Sequence, residues 1–108
     1  MNTVYEAIEP KRAEIDSLVG PALLEFGAPW CGYCRAAQPL IAAALSEYPP
    51  MRHIKIEDGK GRRLGRSFGV KLWPTLVFLK DGKELDRLVR PADSAMISRA
   101  LANIIDSL

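Results

Sequence analysis

The two cysteines of the chain, Cys31 and Cys34, are separated by Gly32 and Tyr33. They follow a predicted strand and open a predicted helix. At a helix N-terminus, unpaired N–H groups and the helix dipole favour an anion, here the thiolate of Cys31. A thiolate attacks a disulfide to form a mixed disulfide, which a second nearby thiol resolves. The spacing therefore favours thiol–disulfide exchange, with the more exposed Cys31 as the attacking thiolate and Cys34 as the resolving thiol.

Two other uses of a cysteine pair are weaker interpretations. A zinc ion needs about four ligands, and the single histidine, His53, is the only further candidate of its kind. A purely structural disulfide across so short a loop would remove little chain entropy and would stabilise the fold weakly. We expect no metal and no organic cofactor; the redox-active group is the Cys31–Cys34 pair itself.

A carboxylate, Glu25, interrupts the apolar run Ala22–Phe26 six residues before Cys31. In an apolar strand such a group is costly unless it is paired or protonated. It lies either at a sheet edge in water, or half-buried where it takes and returns the proton of Cys34. His53, on another predicted strand, is interpreted as a surface residue, and Tyr5 as a packing residue.

The elements that must position these residues alternate between strands and helices. Gly-Pro and Pro-Pro pairs and hydrophobic periodicity separate them. The order predicts an α/β fold with a mixed sheet, parallel at first and closed by an antiparallel hairpin, and with helices on both faces. The predicted strands are 3–8, 22–26, 53–57, 75–79 and 84–89; the predicted helices are 9–18, 31–47 with a bend at Pro39, 60–68, and a last helix capped by Asp93 or Ser94.

Composition limits the classes of protein that fit. The chain has 108 residues, 48% of them hydrophobic and 26% charged, with a formal net charge of +2. This size predicts a single domain over residues 1–108. The small charge gives no reason to expect nucleic acid as a partner, and the apolar runs are too short to cross a membrane. No signal-peptide pattern opens the sequence, so we expect a cytoplasmic protein.

Two segments, LLEFGAPWCGYCRAAQPLI and FGVKLWPTLVFLKDGKEL, resemble the thioredoxin family, and the similarity covers nearly the whole chain. The resemblance implies the thioredoxin fold and a thiol–disulfide oxidoreductase that reduces protein disulfides. Its partners would be a disulfide-containing substrate protein and a reductase that restores the dithiol, and the chain would act as a monomer.

Several positions match the family residue by residue. Cys31 and Cys34 match its redox pair, Glu25 its buried acid, and Lys55 the lysine near that acid. Pro74 matches a proline that follows a cis peptide bond and helps to bind the substrate backbone. The resemblance thus implies a substrate-binding surface formed by Trp30, Gly32, Tyr33, Trp73 and Pro74.

Other positions depart from the family pattern. Gly-Tyr replaces the frequent Gly-Pro between the cysteines, Gly27 stands where many members have a second tryptophan, and Arg90 replaces a usual glycine. These changes leave the direction of electron flow open. A disulfide oxidase or isomerase, or a peptide-binding module that does not use its cysteines, stays an alternative. Glutaredoxin activity is disfavoured, because no Gly-Gly segment follows Val89.

Overall fold

A computed structural model describes residues 1–106 of the chain. Its elements follow the predicted order. They are β1 (Tyr5–Glu6), α1 (Arg12–Asp16), β2 (Pro21–Gly27), α2 (Gly32–Leu45), β3 (Arg52–Glu57), α3 (Leu64–Ser67), β4 (Thr75–Lys80), β5 (Lys83–Val89) and α4 (Ser94–Asp106).

The five strands form one mixed sheet in the order β1-β3-β2-β4-β5. β3 pairs in parallel with β1 and β2, whereas β4 pairs antiparallel with β2 and β5. The predicted fold class, with parallel strands first and an antiparallel hairpin last, is confirmed. β2 lies at the centre of the sheet, so a side chain on it is covered from both sides.

Helices cover both faces of the sheet. Alternate residues of each strand point to opposite faces, so each strand contributes side chains to both layers of the core. On one face Leu23 and Phe78 pack with Ile41 of α2 and Leu101 of α4. On the other, Leu24, Phe26 and Val77 pack with Ile15 of α1 and with Leu64 and Phe68 around α3. Glu25 has the same parity as Leu23 and therefore points toward α2.

The ends of the chain segments differ in places from the predicted ones. β1 is limited to Tyr5–Glu6, the two residues that pair with Lys55 and Ile56 of β3 at the edge of the sheet. α1 begins at Arg12 rather than at Glu9, with Lys11 as its N-cap. α3 is a single turn, Leu64–Ser67, shorter than the predicted 60–68. Local patterns gave the type of each element correctly and its length less well.

Two local signals acted as predicted. Asp81 and Gly82 form the β4–β5 turn with φ angles of 50° and 77°, the left-handed conformation that such a tight hairpin turn needs. Asp93 is the residue that caps α4, because its Oδ1 accepts a hydrogen bond from the Met96 N–H at 2.9 Å. Within residues 1–106, no helix is long and apolar enough to cross a membrane.

Candidate active site

The cysteine pair lies at the start of α2, as the sequence predicts. Cys31 is the N-cap, and its Sγ accepts a hydrogen bond from the Cys34 N–H at 3.2 Å. Both cysteines are free thiols. Cys31 is 7% exposed and Cys34 is 1% exposed, so Cys31 is the less buried of the two cysteines. The N–H of Cys34 is placed to stabilise negative charge on the Cys31 sulfur.

Burial is the main cause that raises the pKa of the Cys34 thiol, to about 12. Its hydrogen bond with Cys31 and the nearby charge of Glu25 raise this pKa further, and a hydrogen bond from the Ala28 backbone opposes them. Cys34 therefore stays protonated at neutral pH in the reduced protein. A proton acceptor is needed when it acts as a nucleophile.

Glu25 is fully buried, with 0% exposure, on the central strand β2. This position excludes the interpretation that it lies at a sheet edge in water. Its register partner on β3 is Lys55, whose Nζ lies 3.8 Å from Glu25 Oε2. The sheet thus brings Glu25 and Lys55 together on the face that packs against α2.

His53 contradicts the prediction of a surface residue, because its side chain is only 2% exposed. Its Nε2 lies 2.8 Å from Glu25 Oε1. The backbone N–H of Asn2 donates a hydrogen bond to the other ring nitrogen, Nδ1, at 3.2 Å. Since Nδ1 accepts a hydrogen bond, the ring proton of neutral His53 belongs on Nε2, from which it is donated to Glu25. The alternation in HIKIE could have identified this position, because His53 and Lys55 lie two residues apart and point to the same face of the sheet.

Gln38 is a further member of the site that the sequence analysis missed. Its Nε2 donates hydrogen bonds to Glu25 Oε2 and to the Cys34 carbonyl, each at 2.8 Å. Its Oε1 accepts a hydrogen bond from Lys55 Nζ at 2.9 Å. The spacing of four residues from Cys34 puts both on one face of α2, and this could have identified it. Gln38 links the buried acid to the helix that carries the thiols.

Aromatic residues surround the exposed side of Cys31. Trp30 and Tyr33 are 69% and 61% exposed, and the ring centroids of Trp30 and Trp73 lie 5.5 Å apart in an edge-to-face arrangement. Trp73 packs against the two cysteines. The peptide bond between Trp73 and Pro74 is cis. The proposed substrate-binding residues Trp30, Tyr33, Trp73 and Pro74 are thus grouped near the cysteine pair; Gly32 sits between the cysteines, with open space where a Cβ would lie.

Arg90 shapes one side of this surface. It adopts a φ angle of 50°, a conformation that is uncommon for a residue other than glycine. Its Nε donates a hydrogen bond to the Trp73 carbonyl at 2.8 Å, and its guanidinium lies 3.8 Å from the centre of the Tyr33 ring. Arg90 therefore holds Tyr33 and the cis-proline loop together and adds a positive charge to this side of the surface.

Residues 1–106 contain no group of three or more histidine, cysteine or carboxylate side chains arranged to hold a metal ion. The side chain that the sequence offered as a third zinc ligand, His53, is hydrogen-bonded to Glu25 instead. The arrangement that the chain does build is a pair of thiols, the first less buried than the second, with a buried carboxylate on the neighbouring strand. Its chemistry is dithiol–disulfide exchange.

Comparison with known proteins agrees with this class. The sequence matches the thioredoxin family profile over residues 9–103. It is 34% identical to thioredoxin of Chlamydia muridarum, over 77% of this chain and 81% of that protein. It is 31% identical to thioredoxin 1 of Synechococcus elongatus, over 80% of this chain and 78% of that protein. The structure of thioredoxin 2 from Pseudomonas aeruginosa PAO1 in its reduced form is similar, with 55% identity, a TM-score of 0.86 and 97% of both chains covered.

The fold and the thiol pair define a thiol–disulfide oxidoreductase. The chain belongs to the thioredoxin family.

Proposed function

We propose that this protein donates electrons to protein disulfides from the Cys31–Cys34 dithiol and is then restored by a reductase. The observation that carries the proposal is the unequal exposure of the two cysteine residues at one helix N-terminus: 7% for Cys31 and 1% for Cys34. We further propose that residues 1–108 form one domain that acts in the cytoplasm as a monomer without a metal or organic cofactor.

The reaction has two steps. In the first, the Cys31 thiolate attacks one sulfur of the substrate disulfide; a Cys31–substrate disulfide forms, and the other substrate sulfur leaves as a thiolate and takes a proton. In the second, Cys34 loses its proton and attacks Cys31 Sγ. The Cys31–Cys34 disulfide forms, and the first substrate sulfur leaves as a thiolate. The protein is oxidised by two electrons and the substrate is reduced by two.

Glu25 is the proposed acceptor of the Cys34 proton. Gln38 Nε2 donates hydrogen bonds both to Glu25 Oε2 and to the Cys34 carbonyl, and the Glu25 charge is one of the causes that raise the pKa of Cys34. Lys55 and Gln38 hold its Oε2, at 3.8 Å and 2.8 Å. Because Cys34 is buried, water hardly reaches its thiol, and the second step needs a base inside the protein. A buried carboxylate meets that need.

Trp30, Gly32, Tyr33, Trp73 and Pro74 are the proposed substrate-binding residues. The exposed faces of Trp30 and Tyr33 offer apolar area next to Cys31, and Gly32 leaves room for a chain to approach between them. A substrate polypeptide laid across this surface would bring its disulfide to the accessible sulfur.

Trapping of the mixed disulfide tests the roles of the cysteines. The Cys34→Ser variant cannot perform the second step, so after reaction with a disulfide-containing protein such as insulin it should retain a covalent complex. The complex should be released by dithiothreitol. The Cys31→Ser, Cys34→Ser double variant is the matched control and should trap nothing. Absence of a complex with Cys34→Ser, or equal trapping by the double variant, would overturn the proposal.

The equilibrium reduction potential tests the direction of electron flow. Reduced and oxidised protein would be equilibrated in defined dithiol–disulfide buffers and followed by the fluorescence of Trp30. A potential near about −270 mV, the value typical of a thioredoxin, would support a reductant. A potential of about −180 mV or higher would replace the proposal by an oxidase or isomerase.

A further inference from the structure

The buried side of Cys34 faces a residue that the two-step reaction above does not use. The Tyr5 hydroxyl on β1 lies near the Cys34 sulfur, since both groups border the space where a side chain of Gly27 would begin. Tyr5 and Cys34 line the same cavity, together with Gln38 and Lys55. The sequence alone indicated only a packing role for this tyrosine.

The approach of the hydroxyl to the sulfur depends on Gly27. A Cβ placed on Gly27 would lie 2.6 Å from Cys34 Sγ and 3.1 Å from the Tyr5 hydroxyl oxygen. Any larger residue at this position would push the two groups away. The missing side chain of Gly27 therefore leaves the space in which Tyr5 and Cys34 meet.

The position of the Tyr5 ring is fixed by its neighbours. Tyr5 pairs with Lys55 in the parallel register of β1 and β3, and the Lys55 Nζ lies 4.5 Å from the centre of its ring. An ammonium group over an aromatic face is attractive. Because Lys55 also donates a hydrogen bond to Gln38, the ring belongs to the cluster around Glu25, and its hydroxyl lies on the Gly27 side near Cys34.

The hydroxyl stays protonated in this place. Burial is the largest cause that raises the pKa of Tyr5 above its ordinary value, and the charges of Glu25 and Cys34 raise it further. A phenol that keeps its proton is a hydrogen-bond donor and not a base. The group that gains most from such a donor is a thiolate at Cys34.

We propose that Tyr5 is a catalytic residue of the second step, where its O–H donates a hydrogen bond to Cys34 Sγ as that sulfur becomes a thiolate. The inference rests on the proposed resolving role of Cys34. The O–H proton is not transferred: the Cys34 proton leaves to the base, the new bond forms between Cys34 Sγ and Cys31 Sγ, and the substrate thiolate departs. The donor offsets part of the cost of forming a buried anion, so it accelerates the second step and leaves the first unchanged.

The test separates the two steps with a small probe, bis(carboxy-nitrophenyl) disulfide, whose thiolate is coloured. One equivalent of reduced protein releases a first thiolate when Cys31 attacks and a second when Cys34 resolves the mixed disulfide. Tyr5→Phe removes only the hydroxyl and keeps the ring that Lys55 contacts. Because a hydrogen bond to a charged group is strong, its loss in this variant should slow the second phase about tenfold or more. The first phase should stay within about twofold of the wild type.

Tyr48→Phe is the matched control, since Tyr48 packs against the α2–α4 side of the core; both of its phases should equal those of the wild type. A second phase in Tyr5→Phe as fast as in the wild type would overturn the role of Tyr5 and leave the proposed function intact. Equal slowing of both phases would overturn it as well, since a general disturbance of the site would then explain the loss. A wild-type protein that shows no second phase would instead contradict the proposed function.

Discussion

Replacement of His53 by leucine tests whether the buried acid depends on its imidazole partner. Leucine fills the space between β3 and α2 with a side chain of similar volume, but it is apolar and donates no hydrogen bond. Glu25 is 0% exposed, and His53 Nε2 is the partner of its Oε1 at 2.8 Å. The other oxygen, Oε2, keeps Gln38 at 2.8 Å and Lys55 at 3.8 Å. The substitution therefore removes the hydrogen-bond partner of one carboxylate oxygen, Oε1, in a place that water reaches poorly.

The magnitude follows from this geometry. A hydrogen bond to a charged group contributes about 1.5–3 kcal/mol, and a buried acceptor left unpaired loses that contribution in full. Removal of one partner of a buried ion pair costs about 3–5 kcal/mol, which is an upper limit here because Gln38 and Lys55 stay in place. The added apolar surface of leucine returns part of the loss. We expect His53→Leu to lower the free energy of unfolding by about 2–3 kcal/mol.

Urea unfolding of the reduced protein at neutral pH measures this change, with equal slopes required before the midpoints are compared. His53→Gln is the matched control, because its amide N–H can donate toward Glu25, and it should lose about 1 kcal/mol or less. The double variant Glu25→Leu, His53→Leu removes both partners. Since replacing a whole buried pair by apolar residues is often nearly neutral, its loss should be smaller than the sum of the two single losses by about 2 kcal/mol.

A loss below about 0.5 kcal/mol in His53→Leu, the range of ordinary surface substitutions, would refute the reasoning. Additive losses in the double variant would refute it too, because they would show that His53 and Glu25 stabilise the fold independently. Either result would mean that the 2.8 Å contact between the two side chains carries no net free energy.

Three further predictions follow from the site and the turn. The pKa of the Cys34 thiol is raised from 9.0 to about 12 in the folded protein, so between these pH values the unfolded chain releases a proton that the folded chain keeps. The unfolding free energy of the reduced protein should therefore fall as pH rises through this window, and it should fall less in Cys34→Ala. Urea titrations at successive pH values measure this difference. Gly27→Ala places a methyl group 2.6 Å from Cys34 Sγ, so it should slow formation of the Cys31–Cys34 disulfide at least about tenfold in the coloured-thiolate assay, and an unchanged second phase would contradict this close packing. Gly82→Ala should cost more than about 2 kcal/mol in urea while both phases of that assay stay unchanged, because Gly82 has a φ angle of 77° and its new Cβ would collide with the Asp16 backbone; a fully stable variant would contradict the turn geometry.

Much of the fold could be predicted from local sequence. Strands with buried runs, such as TLVFL, and the Asp81-Gly82 turn between β4 and β5 carry their own signals, since residue type and φ preference act over a few residues. The accessible and buried cysteines follow from a strand-to-helix junction with a spacing of three. These features depend on neighbours in the chain, and the chain gives those neighbours directly.

The partners of the buried acid were decided by tertiary structure. Glu25 contacts His53 because β2 and β3 lie side by side in a register that connects residues far apart in sequence. Tyr5 lies near Cys34 because β1 pairs with β3 and α2 packs close to that edge of the sheet. Resemblance to a family identified Lys55. The local sequence around His53 is the same whether its side chain is buried or on the surface, and the local sequence around Tyr5 does not show that it lies near Cys34. A single polar side chain does not reveal whether it is buried. Which strand lies beside it, and in what register, depends on the packing of the whole sheet against α2.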